Sequence, residues 1–317
     1  MTYESLPPAI FLMGPTGTGK TDLAVELVSR WPCAIISVDS AMIYRGLDIG
    51  TAKPSREIQA RAPHRLIDIR DPRDSYSAAE FRADALREMA MATQAGKIPL
   101  LVGGTGLYFR ALQEGLSAMP AAYPEIRARL NAEADRLGWP ALHRHLSEVD
   151  PLAAARIHSN DSQRIQRALE VYEASGRTMT DWISQNTKDP LPYRIVKLAL
   201  VPGNRDRLNK RLAQRFQQML KQGLVEEVKE LAKLGDFGPG LPSMRLVGYR
   251  QVWEYLEGVL NYATMEALAI TATRRLAKRQ LTWLRTEQNL QWLNSEPPNR
   301  LEIILDYLNH QLGSLSH

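Results

Sequence analysis

The sequence predicts an α/β fold: a parallel sheet flanked by helices and interrupted by an all-helical insertion domain. Three observations carry this expectation. Short apolar runs without polar alternation recur between helix-like segments in the first hundred or so residues, residues 124–186 read as helices only, and a strand-like run returns at 193–201. Strands that are apolar on both faces belong to a parallel sheet covered on either side. A helical interruption followed by a returning strand indicates an insertion within one core, not two domains in tandem. The expected division is a catalytic core of residues 1–119 and 190–317 with C-terminal helices, and an insertion of residues 120–189.

Each element has its own signal. AIFLM (9–13) reads as a strand, followed by a glycine-rich turn and a helix to about Arg30; AIISVD (34–39), RLIDI (65–69) and PLLVGG (99–104) read as further strands. A helix starts at Ser77, where Ser77 and Glu80 form the S-x-x-E capping box. Within the insertion, helices are expected over 124–138, 141–149 and 161–176, the last opening at Asp161 and closing at Gly176. YRIVKLALV (193–201) is the returning strand, and helices follow over 205–223, 224–235 and from about Tyr262 to Arg285.

Composition narrows the class. The chain has 317 residues, 44% hydrophobic and 24% charged, enough for a sizeable core and against disorder. No run approaches the ~18 apolar residues of a membrane span, and MTYESLPPAIF lacks the pattern of a signal peptide, so a cytoplasmic protein with no membrane partner is expected. The single cysteine, Cys33, excludes an internal disulfide, and His143 and His145 would diverge on a helix, which argues against structural zinc. A net charge of +5 is compatible with nucleic acid without requiring it.

The chemistry starts at residues 14–21. Gly14, Pro15, Thr16, Gly17, Thr18, Gly19, Lys20 and Thr21 fit GxxxxGK[ST], and they lie between a strand and a helix, the context in which that spacing forms a phosphate loop. The glycines let backbone N–H groups converge on phosphate oxygens, the helix N-terminus adds positive potential, Lys20 supplies a charge and Thr21 can ligate Mg²⁺. The expected fold is therefore P-loop NTPase-like. Any ligand with two linked phosphates and Mg²⁺ suits this loop, so transfer of phosphoryl does not follow. Asp39 ends the second strand, where an open parallel sheet presents its ligand crevice. It could associate with Mg²⁺, act as a general base, or cap the next segment. GGTGLY (103–108) leaves another strand with two glycines and Thr105 near the same edge.

Taken together, GPTGTGKT, VDSAMIYRGLDIGTAKP, VGGTGLY, NDSQRIQRALEVYEASG, VGYRQ and TRRLAKRQLTWLR resemble the tRNA dimethylallyltransferases, over most of the chain. The resemblance implies transfer of a dimethylallyl group from dimethylallyl diphosphate to N6 of the adenine 3′ of the anticodon, with Mg²⁺, on the anticodon stem-loop of a tRNA. The phosphate loop would then hold a leaving diphosphate. Members of that family commonly carry Gln three residues after the aspartate, where this chain has Met42. The lack of a CxxC pair resembles the bacterial form without an appended zinc finger, and a monomer is expected.

On that reading Asp39 removes the amine proton, and Lys20, the loop amides, Mg²⁺ and arginines stabilise the departing diphosphate. Of Arg205, Arg207, Arg211 and Arg215, the pair Arg211 and Arg215 lies four apart on one helix face and is the expected clamp, with a solvated basic face as the alternative. The family pattern assigns Thr105 to the diphosphate and the acceptor base, and Ser40, Ala41 and Met42 to the base. RNA contacts are expected from Gln163, Arg164, Ile165, Gln166 and Arg167, from Arg245, Gly248, Tyr249 and Arg250, and from Arg274, Arg275, Lys278, Arg279 and Arg285. Arg127 joins them by the family pattern, and Trp283 reads as core before stacking platform. Three rivals stay open: a small-molecule or nucleoside kinase, a nucleic-acid-binding module regulated by NTP, and a transferase acting on free adenine nucleotides.

Overall fold

The computed structural model describes residues 5–185, 189–235 and 237–313. Its centre is a six-stranded sheet in which every neighbouring pair is parallel. The strands are β1 (Pro8–Met13), β2 (Cys33–Val38), β3 (His64–Arg65), β4 (Ile98–Gly103), β5 (Arg194–Val201) and β6 (Leu290–Asn294), in the spatial order β3-β2-β4-β1-β5-β6. Register sets the geometry of everything that follows. Gly103 at the end of β4 lies opposite both Met13 and Val38, so β1, β2 and β4 finish level at the same carboxyl edge.

Both faces of the sheet are covered, as the continuous apolar runs require. On one face Ile10, Leu12, Ile35, Leu100 and Leu198 pack against Leu23 and Leu27 of α1 (Lys20–Val28) and Ile304 and Leu308 at the C-terminal end of the described chain. On the other, Phe11, Met13, Ile36 and Leu101 meet Phe81 and Met89 of α3 (Ala78–Gln94) and Phe109 and Leu112 of α4 (Gly106–Glu114). Side chains such as Phe11 and Leu12 have no solvent exposure, and each contributes roughly 1.5–3 kcal/mol through burial. The Ser77–Glu80 capping box at the start of α3 is present in both directions.

α2 (Arg56–Arg61) lies between β2 and β3. The expected strand at 65–69 contracts to His64–Arg65. Leu66 and Asp68 adopt positive φ of 61° and 56°, which takes the backbone out of the pleat although Leu66 and Ile67 are buried.

The chain divides into two compact units, residues 1–113 with 191–317, and residues 114–190. The second unit holds α5 (Pro124–Leu137), α6 (Trp139–Val149), α7 (Pro151–Arg156), α8 (Ser162–Ser175) and α9 (Met179–Ser184) around Leu130, Leu142, Leu146, Ile165 and Leu169. In the first unit, α10 (Arg205–Lys221), α11 (Leu224–Ala232), α12 (Tyr249–Leu256) and α13 (Tyr262–Leu284) enclose a further core with Ile43, Tyr44 and Leu47, the loop that follows Asp39. β6 and α14 (Arg300–Leu312) lie beyond the last element expected from the sequence.

Candidate active site

Because β1, β2 and β4 end level, the segments leaving them converge, and residues from all three line one cavity of about 310 Å³. Its wall includes Thr16, Gly17, Gly19, Lys20, Thr21 and Asp22 from the phosphate loop and α1, Asp39 and Met42 after β2, and Gly103 and Gly104 after β4. Arg215 and Gln280 reach it from α10 and α13.

The loop's shape follows from its glycines. Gly17 and Gly19 sit at φ of +83° and +80°, and a Cβ on Gly14 would stand 2.4 Å from the Leu200 carbonyl oxygen. Thr18 is buried, its hydroxyl donating to the Pro15 carbonyl at 2.9 Å. That side chain braces the loop, so Thr18 can serve a ligand only through its backbone N–H. The Lys20 ammonium donates to the same carbonyl at 2.7 Å. Burial pushes its pKa down to about 7, against the raising effect of Asp39 and helped by the nearby charge of Arg215. Arg215 is lowered by burial too, with Asp39 and Asp22 opposing.

Asp39 Oδ1 accepts from the backbone N–H groups of Ala41 at 2.8 Å and Met42 at 3.3 Å. The capping role therefore coexists with the cavity position. Among the described residues no hydrogen bond engages Oδ2, which leaves one carboxylate oxygen for chemistry. Thr105 stands beside it: its Oγ1 accepts from the Ser40 N–H at 3.1 Å and donates to Ser40 Oγ at 3.5 Å. Gly103 is needed here, since a Cβ would lie 2.0 Å from the Val38 carbonyl oxygen. Met42 lines the cavity, and its carbonyl accepts from Asp68 N–H at 3.2 Å.

The arginines of α10 separate. Arg215 lies in the cavity wall, whereas Arg211, exposed, donates to the Gly17 carbonyl at 3.1 Å, on the rim of the loop. Arg207 pairs with Glu296 at 2.9 Å. Lys53 has a side chain only 3% exposed; it donates to the Tyr44 carbonyl and to Asp48 and Asp68, and so pins the segment after Asp39 against the cavity.

Gln280 was not expected. Its Oε1 accepts from Thr16 N–H at 2.9 Å and its Nε2 donates to the Gly104 carbonyl at 3.1 Å. A signal existed, a polar residue on the inward, apolar face of α13 between Ala277 and Leu284.

The residues expected at RNA fall into groups. Gln163, Arg164, Arg245, Arg250, Arg274, Arg275, Lys278, Arg279 and Arg285 are exposed. Arg164 leans on Asp161 at 3.5 Å and Arg250 pairs with Glu254 at 2.9 Å; the cations of α13 have no acidic partner among the described residues. Ile165 and Tyr249, each with no exposed surface, cannot touch RNA in this fold. Ile165 belongs to the core of the helical unit, and the Tyr249 hydroxyl donates to Glu227 at 2.6 Å. Gly248 is buried at φ +94°, and a Cβ there would stand 3.4 Å from the Phe216 ring, so its flexibility serves the turn into α12 rather than an RNA backbone. Gln166 binds Asn131 at 2.7 Å, and Arg127 and Arg167 both bind the fully buried Glu170. Trp283 is core: it stacks on Phe109 at 5.9 Å and fills the space above Gly106.

Among the described residues no helix is long and apolar enough to cross a membrane, and no three His, Cys, Asp or Glu side chains form a metal cluster.

Comparison with known proteins gives one consistent answer. The sequence model of a protein family described as IPP transferase matches residues 42–287. The full-length tRNA isopentenylpyrophosphate transferase of Bacillus halodurans is 35% identical, with 96% of each chain covered and a TM-score of 0.71. The tRNA delta(2)-isopentenylpyrophosphate transferase of Staphylococcus epidermidis is 32% identical, covering 96% of this chain and 99% of the other at a TM-score of 0.68. A eukaryotic dimethylallyltransferase acting on tRNA shares the fold at 22% identity and a TM-score of 0.74, with 96% of this chain and 76% of that one covered.

Proposed function

Because this chain belongs to the IPP transferase family, we propose that it transfers a dimethylallyl group from dimethylallyl diphosphate to N6 of the adenine 3′ of a tRNA anticodon. A bond forms between N6 and the allylic carbon, the bond from that carbon to the diphosphate oxygen breaks, and diphosphate leaves with the electron pair. The N6 proton passes to Asp39. One observation carries the reading: the register of β1, β2 and β4 brings Lys20, Asp39 and the Thr105 turn to one edge, with Lys20 and Asp39 on the wall of the same cavity.

Adenine N6 is a weak nucleophile because its lone pair is shared with the ring, and it grows more acidic as the new bond forms. The free oxygen of Asp39 suits a general base, a role typically worth 10² to 10⁴ in rate. Thr105 and Ser40 supply hydroxyls at the same edge, and Met42 offers the base an apolar wall. Lys20, Arg215 and the loop amides face the charge that builds on the leaving group. Thr21 and Asp22 are hard oxygen donors on the cavity wall, and they fit a Mg²⁺ ion held jointly by protein and phosphate oxygens. When bound, Mg²⁺ neutralises charge on the diphosphate.

An adenine in the anticodon loop is unpaired, so extruding it costs only a few kcal/mol. The exposed cations of α13, with Arg245, suit the loop's phosphates. In the helical unit, Gln163 and Arg164 are the exposed candidates.

Incubation with labelled dimethylallyl diphosphate tests the proposal. Label is expected in unmodified tRNA and not in AMP, ADP or ATP. Label in the free nucleotides alone, or turnover of ATP to ADP without labelled RNA, would overturn it.

A further inference from the structure

Gln280 sits where two glycine turns meet, and it binds each of them. The Thr16 N–H of the phosphate loop donates to its Oε1 at 2.9 Å, and its Nε2 donates to the Gly104 carbonyl at 3.1 Å. The two turns are close neighbours: a Cβ on Gly104 would lie 2.3 Å from Gln280 Nε2 and 2.9 Å from the Gly14 carbonyl oxygen. One turn further along α13, Trp283 presses on Gly106, where a Cβ would meet the ring at 2.4 Å. Gly104 and Gly106 flank Thr105 on either side. The inner face of α13 therefore fits closely against the turn that carries Thr105, and Gln280 also bonds the phosphate loop.

We propose that Gln280 is a positioning residue for the reaction, setting the spacing between the loop that grips the diphosphate and the turn that presents Thr105. The chemistry of the side chain supports this. Thr16 offers only a donor and Gly104 only an acceptor, and a neutral primary amide is the side chain that can answer both at once. Glutamate keeps the acceptor but sets a second oxygen against the Gly104 carbonyl, and methionine keeps the length but answers neither. The amide stands on the cavity wall, so its charge state also matters to an anion bound there. In addition, the bond to Gln280 turns the Thr16 N–H toward α13, leaving the amides further along the loop to converge on phosphate.

The inference rests on the diphosphate-cradle part of the functional reading, and its test does not depend on transfer to RNA. The affinity of the full-length protein for inorganic diphosphate with Mg²⁺ is measured by calorimetry for the wild type, Gln280→Met and Gln280→Glu. Loss of two hydrogen bonds is expected to weaken binding by Gln280→Met about tenfold. Gln280→Glu is expected to weaken it further, with a deficit that shrinks as salt rises. In steady-state assays both variants should raise KM for dimethylallyl diphosphate and lower kcat, with tRNA affinity within twofold of the wild type. Diphosphate affinity within twofold of the wild type in both variants would overturn the inference, as would a wild type that does not bind diphosphate. Equal losses of diphosphate and tRNA affinity would reduce Gln280 to a packing role. If diphosphate binding behaves as expected but no label reaches tRNA, the RNA reading fails while the role of Gln280 stands.

Discussion

The Tyr249 hydroxyl donates to Glu227 at 2.6 Å, and the same carboxylate accepts the backbone N–H groups of Asp48, Ile49 and Gly50. A single side chain from α11 thus ties α12 to the loop that descends from Asp39. Burial and the Glu227 carboxylate together hold the tyrosine hydroxyl well above its ordinary pKa, so it stays a donor at every accessible pH. Tyr249→Phe is expected to cost about 1–3 kcal/mol of stability in urea titration, because a half-buried carboxylate loses a partner, with tRNA affinity unchanged. Weaker tRNA binding at full stability would instead make Tyr249 an RNA contact.

Asp39→Asn separates capping from catalysis. The amide oxygen still accepts from Ala41 and Met42, so the turn survives, but no base remains on the cavity side. Turnover should fall at least a hundredfold, with tRNA affinity within a few-fold of the wild type. Comparable turnover would remove Asp39 from the proton-accepting role.

Lys20 makes diphosphate binding sensitive to pH. Its pKa of about 7 reflects burial first, and a bound anion must raise it. Below about pH 7 the free enzyme already carries the proton, and this group adds no pH dependence. Above it, binding must take up a proton, so affinity falls by up to about tenfold per pH unit. Calorimetry at pH 8 in buffers of different ionisation enthalpy should show proton uptake; none, or proton release, would contradict it.

The basic residues divide by partner. Lys278 and Arg279, exposed on α13, should each lower the salt dependence of tRNA binding by about one unit of slope when changed to Ala, with no change in melting temperature. Arg127 behaves differently because it binds Glu170, whose own surface is fully buried. Burial alone would raise the Glu170 pKa, yet Arg127, Arg167 and the Tyr123 N–H together hold it below the usual carboxylate range. Its stabilising contribution is present above the ordinary glutamate pKa and is lost as pH falls through the lowered one. Arg127→Ala should therefore destabilise the helical unit, seen as a lower melting temperature at pH 7 and a smaller difference from the wild type in acid. An unchanged melting temperature with weaker tRNA binding would assign Arg127 to RNA.

Local pattern was enough for the elements and for the chemistry nearest them. Apolar runs without alternation specify buried parallel strands, Ser77 and Glu80 specify a helix start, and the glycine spacing at residues 14–21 specifies a phosphate loop, because each depends on interactions within a few residues. Whether a residue of the right type is accessible depends on what packs over it, and no short window carries that. Tyr249 and Ile165 have the chemistry of RNA contacts but lie inside cores, while Gln280, in a basic stretch, lies between the phosphate loop and the turn at Gly104. Register brought residues from positions 13, 38 and 103 level at one sheet edge, and side chains from α10 and α13 closed around them. Those contacts span up to 264 positions of chain, and they exist only once the separate segments have packed together.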